Sequence, residues 1–139
     1  MDAGKRFNVR VYGLWLQDGQ VLACDELIRN RKVMKFPGGG LEMGEGTIAC
    51  IKREWVEELN LEIAVLGHFY TTDFYQASAF DDSQVISIYY LVQPVVPEGY
   101  IFPVSEAEQF VWLPVDEALP GKITLPIDIK VAEMLAGLA

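Results

Sequence analysis

The stretch GGLEMGEGTIACIKREWVEELNL (Gly39–Leu61) runs from a glycine-rich loop into a single amphipathic segment. Ile48, Ile51, Trp55 and Leu59 recur at helical spacing, which predicts an α-helix with one apolar stripe turned to the core. Thr47 is the expected N-cap. Asn60 is expected to end the helix, because Asn tolerates the left-handed conformation found just past helix C-termini. Glu54, Glu57 and Glu58 stand at i, i+3 and i+4, so the helix carries three carboxylates on one face. Like charges that close cost an isolated helix a few tenths of a kcal/mol per pair, roughly. A divalent cation that accepts all three accounts for the pattern. At ~100° per residue the stripe and the carboxylate face lie about a third of a turn apart, which puts the acids on the boundary between core and cleft.

Working outward, the chain has 139 residues, 51% of them hydrophobic, enough for one α/β domain over residues 1–139 and too short for two ordinary ones. There is no apolar run long enough to span a membrane and no signal-peptide pattern at the start, so a cytoplasmic protein is expected. Cys24 and Cys50 lie in unrelated segments and read as buried free thiols. A net charge of −9 argues against a nucleic acid polymer as partner, since affinity for that backbone needs Lys and Arg. A small phosphorylated substrate remains compatible, because a bound metal would invert the field at the acidic helix. Oligomeric state stays open, with a homodimer common at this size.

Phe7 to Leu16 and Val21 to Ile28 read as strands joined at Asp18-Gly19 into a β-hairpin. Arg29 to Lys35 holds four basic residues in seven and reads either as a solvated loop or as a phosphate contact. Ile63 to Tyr75 and Val85 to Val96 are expected to pair antiparallel, Gln109 to Leu113 to add a short strand, and Pro126 to Leu138 to form a second helix. One mixed sheet flanked by helices is the natural layering.

Counted out, the opening stretch is Gly39, five residues, Glu45, seven residues, then Arg53-Glu54-Trp55-Val56-Glu57-Glu58-Leu59-Asn60-Leu61. It resembles the Nudix box, G-x5-E-x7-R-E-U-x-E-E-x-G-U, with U a bulky apolar residue. Six fixed matches have a chance on the order of 10⁻⁵ over a chain of this length. The lead-in from Phe36 to Glu42 and the segment from Val111 to Glu117 are also similar to that family, whose MutT-like members are hydrolases. Two positions depart from the pattern: Asn60 replaces a glycine, and Trp55 stands where smaller aliphatics are usual.

The resemblance implies a Nudix-type α/β/α sandwich with a mixed β-sheet between helices. It also implies Mg²⁺, or Mn²⁺, held by Glu54, Glu57 and Glu58 with the Gly39 carbonyl, and Glu45 as a further ligand or as a support for the others. Arg53 is expected to orient a carboxylate. The implied reaction is hydrolysis of the diphosphate in a nucleoside diphosphate derivative: a nucleoside triphosphate, nucleotide sugar, ADP-ribose or dinucleotide. A nucleotide-sensing domain without turnover and an isoprenoid diphosphate isomerase are the alternatives, and the intact carboxylates favour turnover over both. For the substrate, Arg10 and Arg29 are the candidate phosphate contacts. Glu42, Glu106 and Glu108 are candidate substrate or base residues, and Tyr12, Phe74, Tyr75 and Phe80 are candidate stacking residues among which nothing decides.

Overall fold

The computed structural model describes residues 5–138. Strand β1 (Phe7–Leu14) runs through the middle of a four-stranded sheet. It pairs antiparallel with β5 (Gly38–Gly40) on one side and parallel with β7 (Gln84–Val95) on the other, and β6 (Glu62–Thr71) completes the order β5-β1-β7-β6. β6 and β7 pair antiparallel as expected, with irregularities between Val65 and Gly67 and between His68 and Tyr70.

The expected hairpin forms only at its tip. Asp18 and Gly19 both have positive φ, 52° and 74°, the geometry of a tight two-residue turn. That turn joins β2 (Leu16–Gln17) to β3 (Gln20–Ile28). The long strand before it breaks at Trp15, and β1 belongs to the other sheet. β3 instead pairs antiparallel with β4 (Arg31–Lys35) and β8 (Glu108–Pro114). The strands thus form two sheets, the mixed one and an antiparallel one beside it, where one had been expected.

Alternation along β1 explains how the mixed sheet acquires a core on both faces. Val11 joins Trp15, Leu22, Cys50, Ile51, Trp55 and Leu59 in one buried cluster under helix α1 (Thr47–Leu59). Tyr12 and Leu14 join Phe36, Tyr89, Leu119, Ile127 and Val131 in a second cluster under helix α2 (Pro126–Leu135) and the 3₁₀ turn Leu119–Lys122. This is a mixed α/β fold with helices on both faces of the sheet, as the sequence implies.

Within α1 the buried residues are Cys50, Ile51, Trp55 and Leu59. Ile48, expected in the stripe, is 48% exposed, and Cys50 takes the inward place. Gly46 is the N-cap, with no side-chain cap bond; Thr47 is already helical, and its hydroxyl lies 2.6 Å from the Tyr90 hydroxyl. Asn60 ends the helix in the left-handed region at φ 55°, its N–H and that of Leu61 bonded to the Val56 and Trp55 carbonyls, a left-handed C-terminal cap. The large Trp55 fits because Gly13 faces it: a Cβ on Gly13 would stand 2.7 Å from the indole nitrogen. That nitrogen donates to the Pro37 carbonyl at 3.3 Å, so the buried ring leaves no polar atom unpaired. Cys24 and Cys50 are both buried and free. Among the described residues no helix is long and apolar enough to cross a membrane.

Candidate active site

Arg53 is the hub of the acidic helix. Its Nε and Nη2 hold both oxygens of Glu45 at 3.0 and 2.6 Å, its Nη1 donates to Glu54 at 3.0 Å and Glu57 at 3.1 Å, and Nη2 also reaches the Gly40 carbonyl at 3.2 Å. A planar guanidinium with five donors suits this geometry, where a lysine ammonium could not span it. The bidentate Arg53 contact, with the Glu42 backbone N–H, holds the Glu45 carboxyl down to about 2. Both Glu45 oxygens thus accept from Arg53, the contact of a residue that supports its neighbours. Glu42 is mostly exposed and lies 3.7 Å from Arg53.

The three helix carboxylates differ in surroundings. Glu54 is 12% exposed and packs so closely on Gly39 that any Cβ there would overlap its carboxyl group. Glu57 is 56% exposed. Glu58, on the last turn, lines a cleft of about 340 Å³, and its buried Oε2 has no hydrogen-bond partner among the described residues. Burial pushes the Glu58 carboxyl up to about 7, with Lys35 opposing the rise and Glu108, Glu54 and Glu26 adding to it. An orphaned buried oxygen, a glycine cradle filled by a carboxylate and an all-oxygen donor set fit a hard divalent cation. The residues present therefore fit magnesium.

The cleft is walled by Asn8, Arg10 and Tyr12 of β1, Glu26 of β3, Lys35 of β4, the 76–81 segment and the start of α2. Arg10 lines it, its Nε donating to the Tyr12 hydroxyl at 2.8 Å. Arg29 reaches the rim and is engaged there: it donates to the Phe80 carbonyl, while Arg31 lies 5.3 Å over the Phe80 ring. Of the candidate aromatics, Tyr12 and Phe80 line the cleft, and Phe74 and Tyr75 do not. Glu106 is exposed and outside the lining. Glu108 also lies outside it and accepts from the Cys24 thiol at 3.4 Å.

Cys24, Glu26 and Glu108 place potential ligand atoms within 4.8 Å of one another. Burial raises the Cys24 thiol well above its ordinary range. A protonated thiol donating to Glu108 is a structural contact, because metals take the thiolate.

Three cleft residues escaped the sequence reading. Asp128, on the first turn of α2, is 1% exposed; Oδ1 accepts from the Tyr89 hydroxyl and Oδ2 from the Phe36 N–H at 3.1 Å. Burial lifts its carboxyl to about 6, against these hydrogen bonds. Lys35 is 4% exposed, with Glu26 Oε2 at 3.4 Å. Glu26 itself reads in sequence as an ordinary outward strand acid. The available signals were slight: Asp128 follows a helix-starting Pro126, where an acid is normal, and Lys35 belongs to a basic run that reads either as a solvated loop or as a phosphate contact.

The mixed sheet, the carboxylate helix clamped by one arginine and the cleft at the helix's end define an α/β protein with a candidate cation site. The sequence model of the NUDIX domain matches residues 4–133, and the chain belongs to that family. Its members are hydrolases of pyrophosphate bonds, and this chain is one by that membership. Among solved structures, a NUDIX hydrolase from Nitrosomonas europaea is similar at TM-score 0.76 and 21% identity, over 95% of this chain and 90% of that one. A MutT protein from Methanosarcina mazei Go1 also gives 0.76 and 21%, over 96% of each. The E. coli ORF135 protein gives 0.73 and 22%, over 96% and 91%. At these identities the likeness is one of fold. No curated protein matches the chain.

Proposed function

We propose that the protein hydrolyses the diphosphate linkage of a nucleoside diphosphate derivative with magnesium as cofactor. The observation that carries this reading is the Arg53 hub, which gathers Glu45, Glu54 and Glu57 beside the cleft that Glu58 enters. Glu54, Glu57 and Glu58, with the Gly39 carbonyl, would hold the cation. When bound, magnesium supplies charge neutralisation on the phosphate oxygens and acidifies water.

The chain's own residues do the rest. Arg53 positions the carboxylates and is itself saturated by them, so it orients rather than touches substrate. Arg10 has four N–H groups without a hydrogen bond among the described residues, and it stands at the phosphate end of the cleft, near Glu54 and Gly40. Proton removal from the attacking water falls to a carboxylate at the cleft wall. A cytoplasmic setting, where such nucleotides are made and used, goes with this reading.

The test is incubation with magnesium and a panel of nucleoside triphosphates, nucleotide sugars, dinucleoside polyphosphates and ADP-ribose. At least one member should yield a nucleoside monophosphate only when metal is present. Absence of any metal-dependent product sinks the proposal.

A pH dependence follows from Glu58. Its carboxyl holds a proton up to about 7, and a cation ligand must shed that proton first. The apparent magnesium affinity should fall about tenfold per pH unit below that value and level off above it. Magnesium titrations of the rate at several pH values on both sides of neutrality check this; a flat profile removes Glu58 from the ligand set.

A further inference from the structure

The three carboxylates of α1 do not share their cations evenly. Arg53 forms ion pairs with Glu54 and Glu57, at 3.0 and 3.1 Å, and with Glu45, but Glu58 has no ion pair among the described residues. The buried cation that lines the cleft with Glu58 is Lys35, 4% exposed. Its 3.4 Å contact with Glu26 leaves Glu26 Oε2, like Glu58 Oε2, buried without a hydrogen bond among the described residues. Lys35 thus lies against one orphaned carboxylate oxygen, and its charge acts on the other residue too: burial raises the Glu58 carboxyl and Lys35 works against the rise. Burial opposes the ammonium as well, but the groups around it, Glu26 and Glu58 among them, hold it above its ordinary value, so Lys35 stays charged. Asp128, a third carboxylate under its influence, has both oxygens engaged by Tyr89 and Phe36.

A buried ammonium needs a counter-charge, and so does a buried carboxylate. In the metal-free protein Lys35 answers this need for Glu26 and Glu58 together. A divalent cation arriving at Glu58 meets the same ammonium as a repulsive charge, in a setting where water screens little. Glu26 then offers the ammonium a place to retreat to, since a 3.4 Å contact can close to the hydrogen-bond distance of about 2.9 Å.

Resting on the hydrolase reading and its cation site, we propose that Lys35 is an internal counter-ion that competes with the metal for Glu58 and turns to Glu26 when the metal binds. Lys35 is in this sense a positioning residue, which sets how readily the site fills and touches neither substrate nor reacting atoms. Removing its charge should tighten metal binding. Glu58 would also hold its proton more firmly in such a variant, but a divalent cation feels the lost charge twice as strongly as a proton does, so the net change at any pH is towards tighter metal binding.

The experiment titrates the substrate-free protein with Mn²⁺ and follows the electron paramagnetic resonance signal of the free ion, in the wild type, Lys35→Met and Glu26→Gln, with circular dichroism to check the fold. Lys35→Met should lower the Mn²⁺ Kd by threefold or more. A damaged fold weakens metal binding, so a tightening separates the counter-ion role from a merely structural one. A smaller change, or weaker binding by a folded Lys35→Met, overturns the proposal. Should that variant fail to fold, Glu26→Gln decides: without Glu26 the ammonium has only Glu58 to turn to, and Kd should rise by threefold or more, whereas a smaller rise or a fall overturns the proposal. If the wild type binds Mn²⁺ and the deciding variant does not shift as expected, the counter-ion falls and the cation site stands. If the wild type binds no Mn²⁺, the cation site and the hydrolase reading fall with it.

Discussion

Glu57→Gln should leave a folded protein that has lost about a thousandfold or more in kcat, as removal of several kcal/mol of charge stabilisation implies. The side chain is 56% exposed, and its one partner is Arg53 at 3.1 Å, an i,i+4 pair on the helix surface. Such exposed pairs stabilise by about 0.3–0.5 kcal/mol. Glutamine keeps the shape and relieves the repulsion from Glu54 and Glu58, so Tm should move by little. The catalytic consequence is out of proportion to this, because Glu57 is the most solvent-open of the three carboxylates and the one most available to an arriving cation. Rates at saturating magnesium, with circular dichroism and Tm on the same sample, check both halves. Wild-type turnover would remove Glu57 from the ligand set, and an unfolded variant would show that the helix needs the Arg53–Glu57 contact.

What could be read from the sequence divides along the range of the interactions involved. Helix α1, its end at Asn60 and the antiparallel β6/β7 pair follow from local periodicity and turn chemistry, and the structure contains all three. The parallel pairing of β1 with β7 does not, since it joins Phe7 to Gln84 across the whole box. Nothing near Phe7 signals it, whereas the Asp18-Gly19 turn signals a hairpin that holds over only two residue pairs. The site splits in the same way. The carboxylates and Arg53 share one helix and one loop, so spacing alone brings them together. Asp128 and Lys35 become site residues only through Tyr89, Phe36 and Glu26, partners that are distant in sequence or on a neighbouring strand. A buried charge is legible only once its partner is known.

The same substitution at two adjacent glycines should fail in two different ways. A Cβ on Gly38 would overlap the Val11 carbonyl oxygen and stand 2.7 Å from Tyr12 Cα. Both are backbone of β1, which is fixed on its far side by eight paired residues of β7. Neither strand can yield, so Gly38→Ala must part β5 from β1, at a cost of about 3 kcal/mol or more. For a chain of this size that lowers Tm by about 10 °C. A Cβ on Gly39 meets no backbone among its three nearest atoms; it overlaps the end of the Glu54 side chain and lies 2.5 Å from Oε1. A side chain can rotate, but this one is held by Arg53 at 3.0 Å and has little free space. Gly39→Ala should therefore displace the Glu54 carboxylate and lose activity about a hundredfold or more, as losses around metal ligands do, with only a small change in Tm. Thermal melts and magnesium-dependent rates on the two variants separate these outcomes. A Gly39→Ala enzyme with wild-type kcat and magnesium dependence would mean that the packed position of Glu54 is not the working one, and a Gly38→Ala protein as stable as the parent would contradict the close β1/β5 approach.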